Sequence, residues 1–333
     1  TYNAYINGTD GVIQTWLKAG ADGWRLDVAD ELPDLFLDHI TKAAKQVKPT
    51  SMILGEVWED ASNKMAYGQR RRYLLGKQLD SVMNYPFREA IIGFLTGKNP
   101  AEMMELIMTV LEHYPPSAIH LLMNHIGTHD TERILTVLGG EPLNGRDREW
   151  QSRTKLSQEQ RSRGLSLLKL ASLMQYTLPG IPCVYYGDEA GQVGFTDPDN
   201  RRTYPWGSED MDLLNFHREM IRIHKEHEAF KTGSIQFVWG EYNFLCYARY
   251  NRGEHFLVVL NNDAVSRTVE MVVWPVGLPK ECELEQIMYS HEDGFSTNPV
   301  TYEVKGGKLN ITLTEFSAVV LRLKETSGEV LLE

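Results

Sequence analysis

The chain has 333 residues, 42% of them hydrophobic, and a formal net charge of −11. This is enough to bury a large core split between one large domain and a smaller one, while the acidic balance speaks against a nucleic-acid partner. No run approaches the roughly 18 uninterrupted apolar residues that span a bilayer, so no membrane segment is expected. Cys183, Cys246 and Cys282 are odd in number and widely spaced, which fits free thiols better than a disulfide framework or a zinc site. The N-terminus shows no basic region followed by an apolar stretch, and a cytoplasmic location is the expectation.

Taken in chain order, "DGVIQTWLKAG" has Val12, Ile13, Trp16 and Leu17 at helical spacing, with Gly20 as a stop. The strand pattern "DGWRLDV" follows. "LPDLFLDHITKAAKQVKP" then sets Leu32, Leu35, Phe36, His39, Ile40 and Ala43 on one helix face, ended by Pro49. The apolar runs "SMILGEVW", "SVMNY", "AIHLLMNHIG" and "GIPCVYYGDE" alternate with helical patterns near 86–97, 100–113 and 157–177. A last helix over about 208–228 carries Glu209, Asp210 and Asp212 early and Arg222, His224 and Lys225 late, as the helix dipole favours. Strands separated by helices predict a parallel α/β sheet over residues 1–229. From about 230 the pattern changes to short strands such as "SIQFVWG", "FLCYARYN", "HFLVVLNN", "RTVEMVVW", "LNITLT" and "AVVLRL". "NRG" and "KGGK" read as hairpin turns, and 230–333 is expected to be an antiparallel β-sandwich.

Within "GWRLDVADE", alternation along an extended chain points Arg25 and Asp27 to one face and Trp24, Leu26 and Val28 to the other. Two charges on an otherwise apolar strand are either a structural ion pair or functional groups. Three of the parallel runs end in an acid: Asp27, Glu56 and, just past its run, Asp130. One acid after a strand is commonly a helix N-cap. Three, with Arg25 and His129 beside them, suit a site at the carboxyl ends of parallel strands. Retaining glycoside hydrolysis uses such a set, a carboxylate nucleophile and a second carboxyl about 5–5.5 Å away that protonates the leaving oxygen. On this reading Arg25 holds Asp27 as the carboxylate, and an apolar setting around Glu56, between Gly55 and Val57-Trp58, favours its protonated form.

These residues also carry a family resemblance. "GWRLDVADE", "ILGEVW" and "NHIGTHDTER" resemble the second, third and fourth motifs of the α-amylase family of glycoside hydrolases, and "GIPCVYYGDE" resembles the motif at that family's eighth barrel strand. "SVMNYPFREAIIGFL" and "TDPDNRRTYPWGSED" are similar to the neopullulanase, cyclomaltodextrinase and maltogenic amylase branch and related amylopullulanases. The resemblance implies strands four to eight of a (β/α)8 barrel, followed by the C-terminal β domain. It implies Asp27 as nucleophile, Glu56 as general acid/base and Asp130 as the third acid that binds sugar hydroxyls. It further implies that Arg25 orients Asp27, that His129 donates to the bound glucose, and that Asp197 and Arg201 of the D-P-x-x-R stretch hold the sugar. Trp58 reads either as a sugar-stacking platform or as a buried aromatic. Tyr185, Tyr186 and Trp206 read as packing residues.

The branch often has Val-Ala-Asn-Glu after the nucleophile, where this chain has Val28, Ala29, Asp30 and Glu31, which puts an extra charge near the leaving-group subsites. The family's first three barrel strands and first motif have no counterpart here. The chain therefore reads as the C-terminal part of an enzyme, with its open sheet edges expected to be covered by a second copy or by the missing N-terminal half. The substrate implied is an α-glucan such as starch, pullulan or cyclomaltodextrin, with α-1,4 or α-1,6 linkages as the alternatives. No cofactor or catalytic metal is implied, and nothing in this segment supports the structural Ca2+ found in the family. Rival readings are a transglycosylase or debranching enzyme on the same residues, and a non-catalytic carbohydrate-binding protein.

Overall fold

The structure, a computed structural model, describes residues 2–324. The chain divides into two compact units, one of residues up to 88 together with 106–124, the other of 89–105 together with residues from 125 onward.

The first unit is built on short parallel strands. Helix α1 (Val12–Lys18) leads to β1 (Gly23–Leu26), and α2 (Asp34–Val47) to β2 (Met52–Gly55). The small hairpin of β3 (Met65–Ala66) and β4 (Gln69–Arg70) precedes β5 (Ser81–Val82). Strand β1 pairs in parallel with β2, placing Arg25 opposite Leu54 and Leu26 opposite Gly55, and β2 pairs in parallel with β5. Helices α3 (Tyr85–Leu95) and α4 (Pro100–His113) are shared between the units, and α5 (Pro116–Ile119) and β6 (Met123–Asn124) close the first. A parallel bridge from Met83 to Met123 carries the strand succession on to β6.

Two expectations change here. The buried face of α2 is Leu37, Ile40, Thr41, Ala43 and Ala44, while Leu35 is 62% exposed. What sets the face is the segment before β5, because Thr41 donates to the Gln78 carbonyl and Lys45 pairs with Asp80 at 2.8 Å. The run "AIHLLMNHIG" is mostly not a strand. Pro115 and Pro116 start α5, proline being preorganised for a first helical turn, and only Met123 and Asn124 extend.

The second unit opens its helices with α6 (Ile134–Gly139) and α7 (Arg148–Arg153), followed by the twenty-residue α8 (Gln158–Thr177). Ser157 caps α8 by a capping box, its hydroxyl accepting from the Gln160 N–H while the Gln160 side chain accepts from the Ser157 N–H. Strand β7 (Ile181–Pro182) follows, then α9 (Met211–Glu226), capped by Asp210, and α10 (Glu228–Lys231).

The rest is antiparallel: β8 (Ser234–Glu241), β9 (Phe244–Tyr250), β10 (His255–Asn261), β11 (Arg267–Val272), β12 (Cys282–His291), β13 (Gly294–Ser296), β14 (Thr301–Lys305), β15 (Lys308–Leu313) and β16 (Ser317–Leu323). The described strands form one hydrogen-bonded sheet in the order β11-β15-β14-β12-β16-β10-β9-β8, with β13 added on β12, where two stacked sheets were expected. The ten-residue β12 is the reason. It pairs along β16 through a bulge between Gln286 and Met288, and also with β14 through Cys282–Glu285 and with β13 through Tyr289–His291. Because Phe244, Leu257, Met271, Leu284, Leu309 and Val319 share one buried cluster, the sheet curls around its own core. The turn between β14 and β15 is the "KGGK" hairpin, with Gly306 and Gly307 at φ +58° and +76°. Buried Arg249 ties β9 to the helices by donating to the carbonyls of Thr177, Ala229, Phe230 and Gly233.

Candidate active site

Asp27 and Glu56 are each the first residue past a parallel strand, so neighbouring strands deliver them side by side. Arg25 holds both: its guanidinium lies 2.5 Å from Asp27 Oδ1 and 3.1 Å from Glu56 Oε2. The two acids differ in exposure. Glu56 is 4% exposed, whereas the Asp27 side chain is 70% exposed. Asp27 is thus not buried on an apolar face, because the strand ends at Leu26 and its carboxylate stands free of the sheet.

The apolar setting expected for Glu56 is also replaced. Its Oε2 accepts from the Val28 N–H at 2.8 Å and pairs with the Arg25 guanidinium at 3.1 Å, and its Oε1 accepts from the Trp58 indole at 3.1 Å. Trp58 is half-exposed and stacks on the buried Tyr85 ring, with centroids 4.1 Å apart at 12°. A residue that sequence reasoning passed over completes this half. Val28 adopts φ +41°, a left-handed conformation that a β-branched side chain strongly disfavours. Such strain, roughly 1–3 kcal/mol, persists only where surrounding bonds impose it. Here the Val28 N–H is bonded to the Glu56 carboxylate and the Ala29 N–H to the Glu56 carbonyl at 3.1 Å. Asp30 pairs with Lys64 at 3.0 Å and accepts from the Tyr73 hydroxyl at 2.6 Å, so the extra charge after Asp27 is taken up locally.

His129, Asp130, Asp197 and Arg201 form a second cluster, within the second unit. His129 Nε2 lies 3.1 Å from Asp130 Oδ2, while Arg201 lies 3.6 Å from Asp130 Oδ1 and 2.8 Å from Asp197 Oδ1. Beneath them is a buried scaffold the sequence did not single out. Asn200 donates through Nδ2 to the carbonyls of His129 and Thr131, both at 2.8 Å. Arg133 in turn donates to the Asn200 carbonyl at 2.7 Å, pairs with buried Asp188 at 3.1 Å and lies over the Tyr185 and Tyr186 rings. The two tyrosines are packing residues for that guanidinium, and burial pushes the Tyr185 hydroxyl up to about 12. A Cβ on Gly127 would fall 2.1 Å from Asp188 Oδ2, so the loop passes this carboxylate only as glycine. Asn200 and Arg133 lie inside the quoted motifs, and the signal was only that both are polar residues with no other evident use. Trp206 is 82% exposed and does not pack as expected; its ring contact is with Tyr204.

Among the described residues no group of three or more His, Cys, Asp or Glu side chains is arranged to hold a metal ion, and no helix is long and apolar enough to cross a membrane. Cys183, Cys246 and Cys282 are free thiols.

The sequence profile described as "Alpha amylase, catalytic domain" matches residues 3–230. The chain belongs to the alpha-amylase family. An amylopullulanase of Thermoanaerobacter thermohydrosulfuricus is 33% identical over 95% of this chain and 22% of its own length. A cyclomaltodextrinase of Thermoanaerobacter pseudethanolicus is 35% identical over 78% of this chain and 40% of its own length. Among solved structures, a cyclomaltodextrinase superposes with a TM-score of 0.74 at 29% identity, covering 94% of this chain and 47% of that one. A debranching enzyme from Nostoc punctiforme gives 0.73 at 27%, covering 93% and 59%. This alpha-amylase family chain thus spans well under half the length of these two curated relatives. Its architecture is that family's fold with a C-terminal antiparallel sheet.

Proposed function

We propose that the chain is the part of an α-glucan hydrolase carrying the catalytic acids, acting by double displacement with retention. One observation carries the reading: a single guanidinium, Arg25, holds an exposed carboxylate, Asp27, and a buried one, Glu56, on adjacent parallel strands. Asp27 attacks the anomeric carbon, its exposure giving a sugar access. Glu56 transfers a proton to the departing glycosidic oxygen and then accepts one from the water that releases the sugar from Asp27. Oε2 is engaged by Arg25 and Val28, so Oε1, which among the described residues accepts from the Trp58 indole, is the oxygen that carries the transferred proton. Asp130, held by His129 and Arg201, serves the same reaction by binding sugar hydroxyls, and Asp197 with Arg201 holds the sugar on the non-reducing side. Trp58, with its ring half open, supplies a stacking face. The catalytic part extends to about residue 229 and is read as strands four to eight of an eight-stranded barrel; the β domain follows. The relatives' names favour starch, pullulan and cyclomaltodextrin as substrates.

The test is product analysis of the full-length enzyme on those three glucans, with the anomeric configuration followed by NMR. The α-anomer should be released first, and Asp27→Asn should lose roughly 10⁴-fold or more in kcat. Initial release of the β-anomer, or near-normal turnover by Asp27→Asn, defeats the assignment.

A further inference from the structure

The nine-stranded sheet has two end strands, β8 and β11, each paired on one side only along the strand path. A cavity of about 420 Å³ is lined by both, with Trp239, Glu241 and Tyr242 from β8 and its turn and Ser266, Thr268 and Glu270 from β11 and the residue before it. This volume lies within the roughly 300–1,000 Å³ of small-ligand sites.

The turn beside the cavity is unusual. Tyr242 and Asn243 join β8 to β9 with both residues left-handed, at φ +52° and +59°. Two-residue turns of this kind favour Asn-Gly or Asp-Gly, because a bulky side chain is disfavoured at positive φ. A tyrosine occupies the position all the same, and it is 73% exposed, so burial does not account for it. The lining around it mixes an aromatic face with acceptors and hydroxyls. Glu241 is exposed and makes no ion pair among the described residues, Thr268 shares a hydroxyl bond with Thr312 at 2.8 Å, and Glu270 meets Lys308 at 2.8 Å.

Unpaired sheet edges can also accept a peptide strand. Here the bulge between Phe237 and Trp239 interrupts regular pairing in β8, and Glu241, Arg267 and Glu270 place charges along the edges, both features that discourage strand addition. An aromatic face ringed by hydroxyls and carboxylates suits instead a neutral polyhydroxylated ring, whose C–H face stacks and whose edge donates and accepts.

We propose that the seam between β8 and β11 binds a glucan chain, one pyranose lying on Tyr242 and its hydroxyls shared with Glu241, Thr268 and Glu270. The choice of a glucan rests on the proposed catalytic function; the site itself uses none of the catalytic residues.

The experiment is native electrophoresis of the full-length protein through gels containing soluble starch or pullulan, with Tyr242→Asn and Tyr242→Trp alongside. Asparagine tolerates the left-handed turn and so removes the ring without straining the fold. Tyr242→Asn should weaken retardation about tenfold in apparent affinity, Tyr242→Trp should restore it, and hydrolysis of maltotriose should be unchanged by either. If the protein hydrolyses glucans but Tyr242→Asn is retarded like wild type, this site is overturned and the catalytic reading stands. If hydrolysis is absent while retardation still depends on Tyr242, the site stands and the catalytic reading falls. No retardation of the wild type, as expected if a peptide strand were the occupant, overturns the proposal.

Discussion

The two acidic clusters are held in opposite ways. In the first, the carboxylate is fixed directly: Glu56 is nearly inaccessible, pairs with a guanidinium and accepts hydrogen bonds from an indole and a backbone N–H. In the second, Asp130 is 30% exposed and its side-chain partners, His129 and Arg201, are themselves 41% and 43% exposed. What is fixed there is the backbone underneath, through Asn200 and Arg133, both fully buried. The difference matches the work proposed for each. A proton-transferring group must be placed to within a fraction of an ångström and screened from bulk water, whereas a group that binds sugar hydroxyls needs to stay open to substrate.

The sharpest way to break this comparison is to keep the shape of Glu56 and remove its proton chemistry. Glu56→Gln should lower turnover of maltodextrins by about 10²–10⁴-fold, and that of aryl glycosides with good leaving groups far less, because only the former need a proton at departure. Equal losses on both substrates would mean that Glu56 acts only as an anchor for Arg25 and Val28.

A smaller effect separates direct from indirect support in the second cluster. Asn200→Ala removes two buried hydrogen bonds and should destabilise the protein by about 2 kcal/mol in denaturant unfolding. By loosening the backbone around Asp130 it should also lower kcat by roughly 10–100-fold. Arg201→Met removes two solvent-facing ion pairs, to Asp130 and Asp197, each typically contributing about 0–1 kcal/mol to stability, so its effect should fall on substrate binding with the unfolding midpoint little moved. Should Arg201→Met prove the more destabilising of the two, the surface pairs rather than the buried scaffold would be holding Asp130.

How much of this was legible in the sequence depends on the kind of signal. The acids at strand ends were readable because a parallel strand delivers its carboxyl end to a defined place, and Asp27 and Glu56 are where the pattern puts them. The surroundings of Glu56 were not, because its neighbours in sequence are apolar while its bonding partners come from Arg25, the Val28 backbone and a tryptophan ring edge. Nothing in the string marks Val28 as left-handed, since valine is a residue that ordinarily avoids it. In the β domain the alternating strands β8 to β11 were visible, yet β12 was missed. Its Glu283 and Glu285 put charges into the strand, and they pair across the sheet with Lys324 and Arg322 at 3.0 and 2.7 Å. Charged cross-strand pairs of this sort hide a strand from any rule based on apolar alternation. The single sheet followed from the same omission, because β12 is the strand that joins the two halves.

The last distinction is between the chemistry of the clusters and the acid tolerance of the scaffold, and His217 isolates it. On α9 it is fully buried, with Nδ1 3.0 Å from the Tyr176 hydroxyl and Nε2 3.3 Å from the Ser172 hydroxyl, and burial pushes its imidazolium down to about 4 from an ordinary 6.5. Between these two values the unfolded chain binds a proton that the folded chain refuses, so stability rises with pH across that window and falls as the solution is acidified from 6.5 towards 4. The full excursion corresponds to roughly 3 kcal/mol, with no further loss from this group below about pH 4. His217→Gln keeps a polar group among the same hydroxyls but cannot titrate, and its unfolding free energy between pH 4 and 6.5 should be correspondingly flatter than the wild type's, measured by urea titration at each pH. Activity lost on acidification should then divide in two: the part that His217→Gln restores belongs to the scaffold, and the part that it leaves belongs to the carboxylates. If the two proteins lose stability in parallel down to pH 4, His217 is protonated in the folded state and its hydroxyl partners, rather than burial, govern its charge.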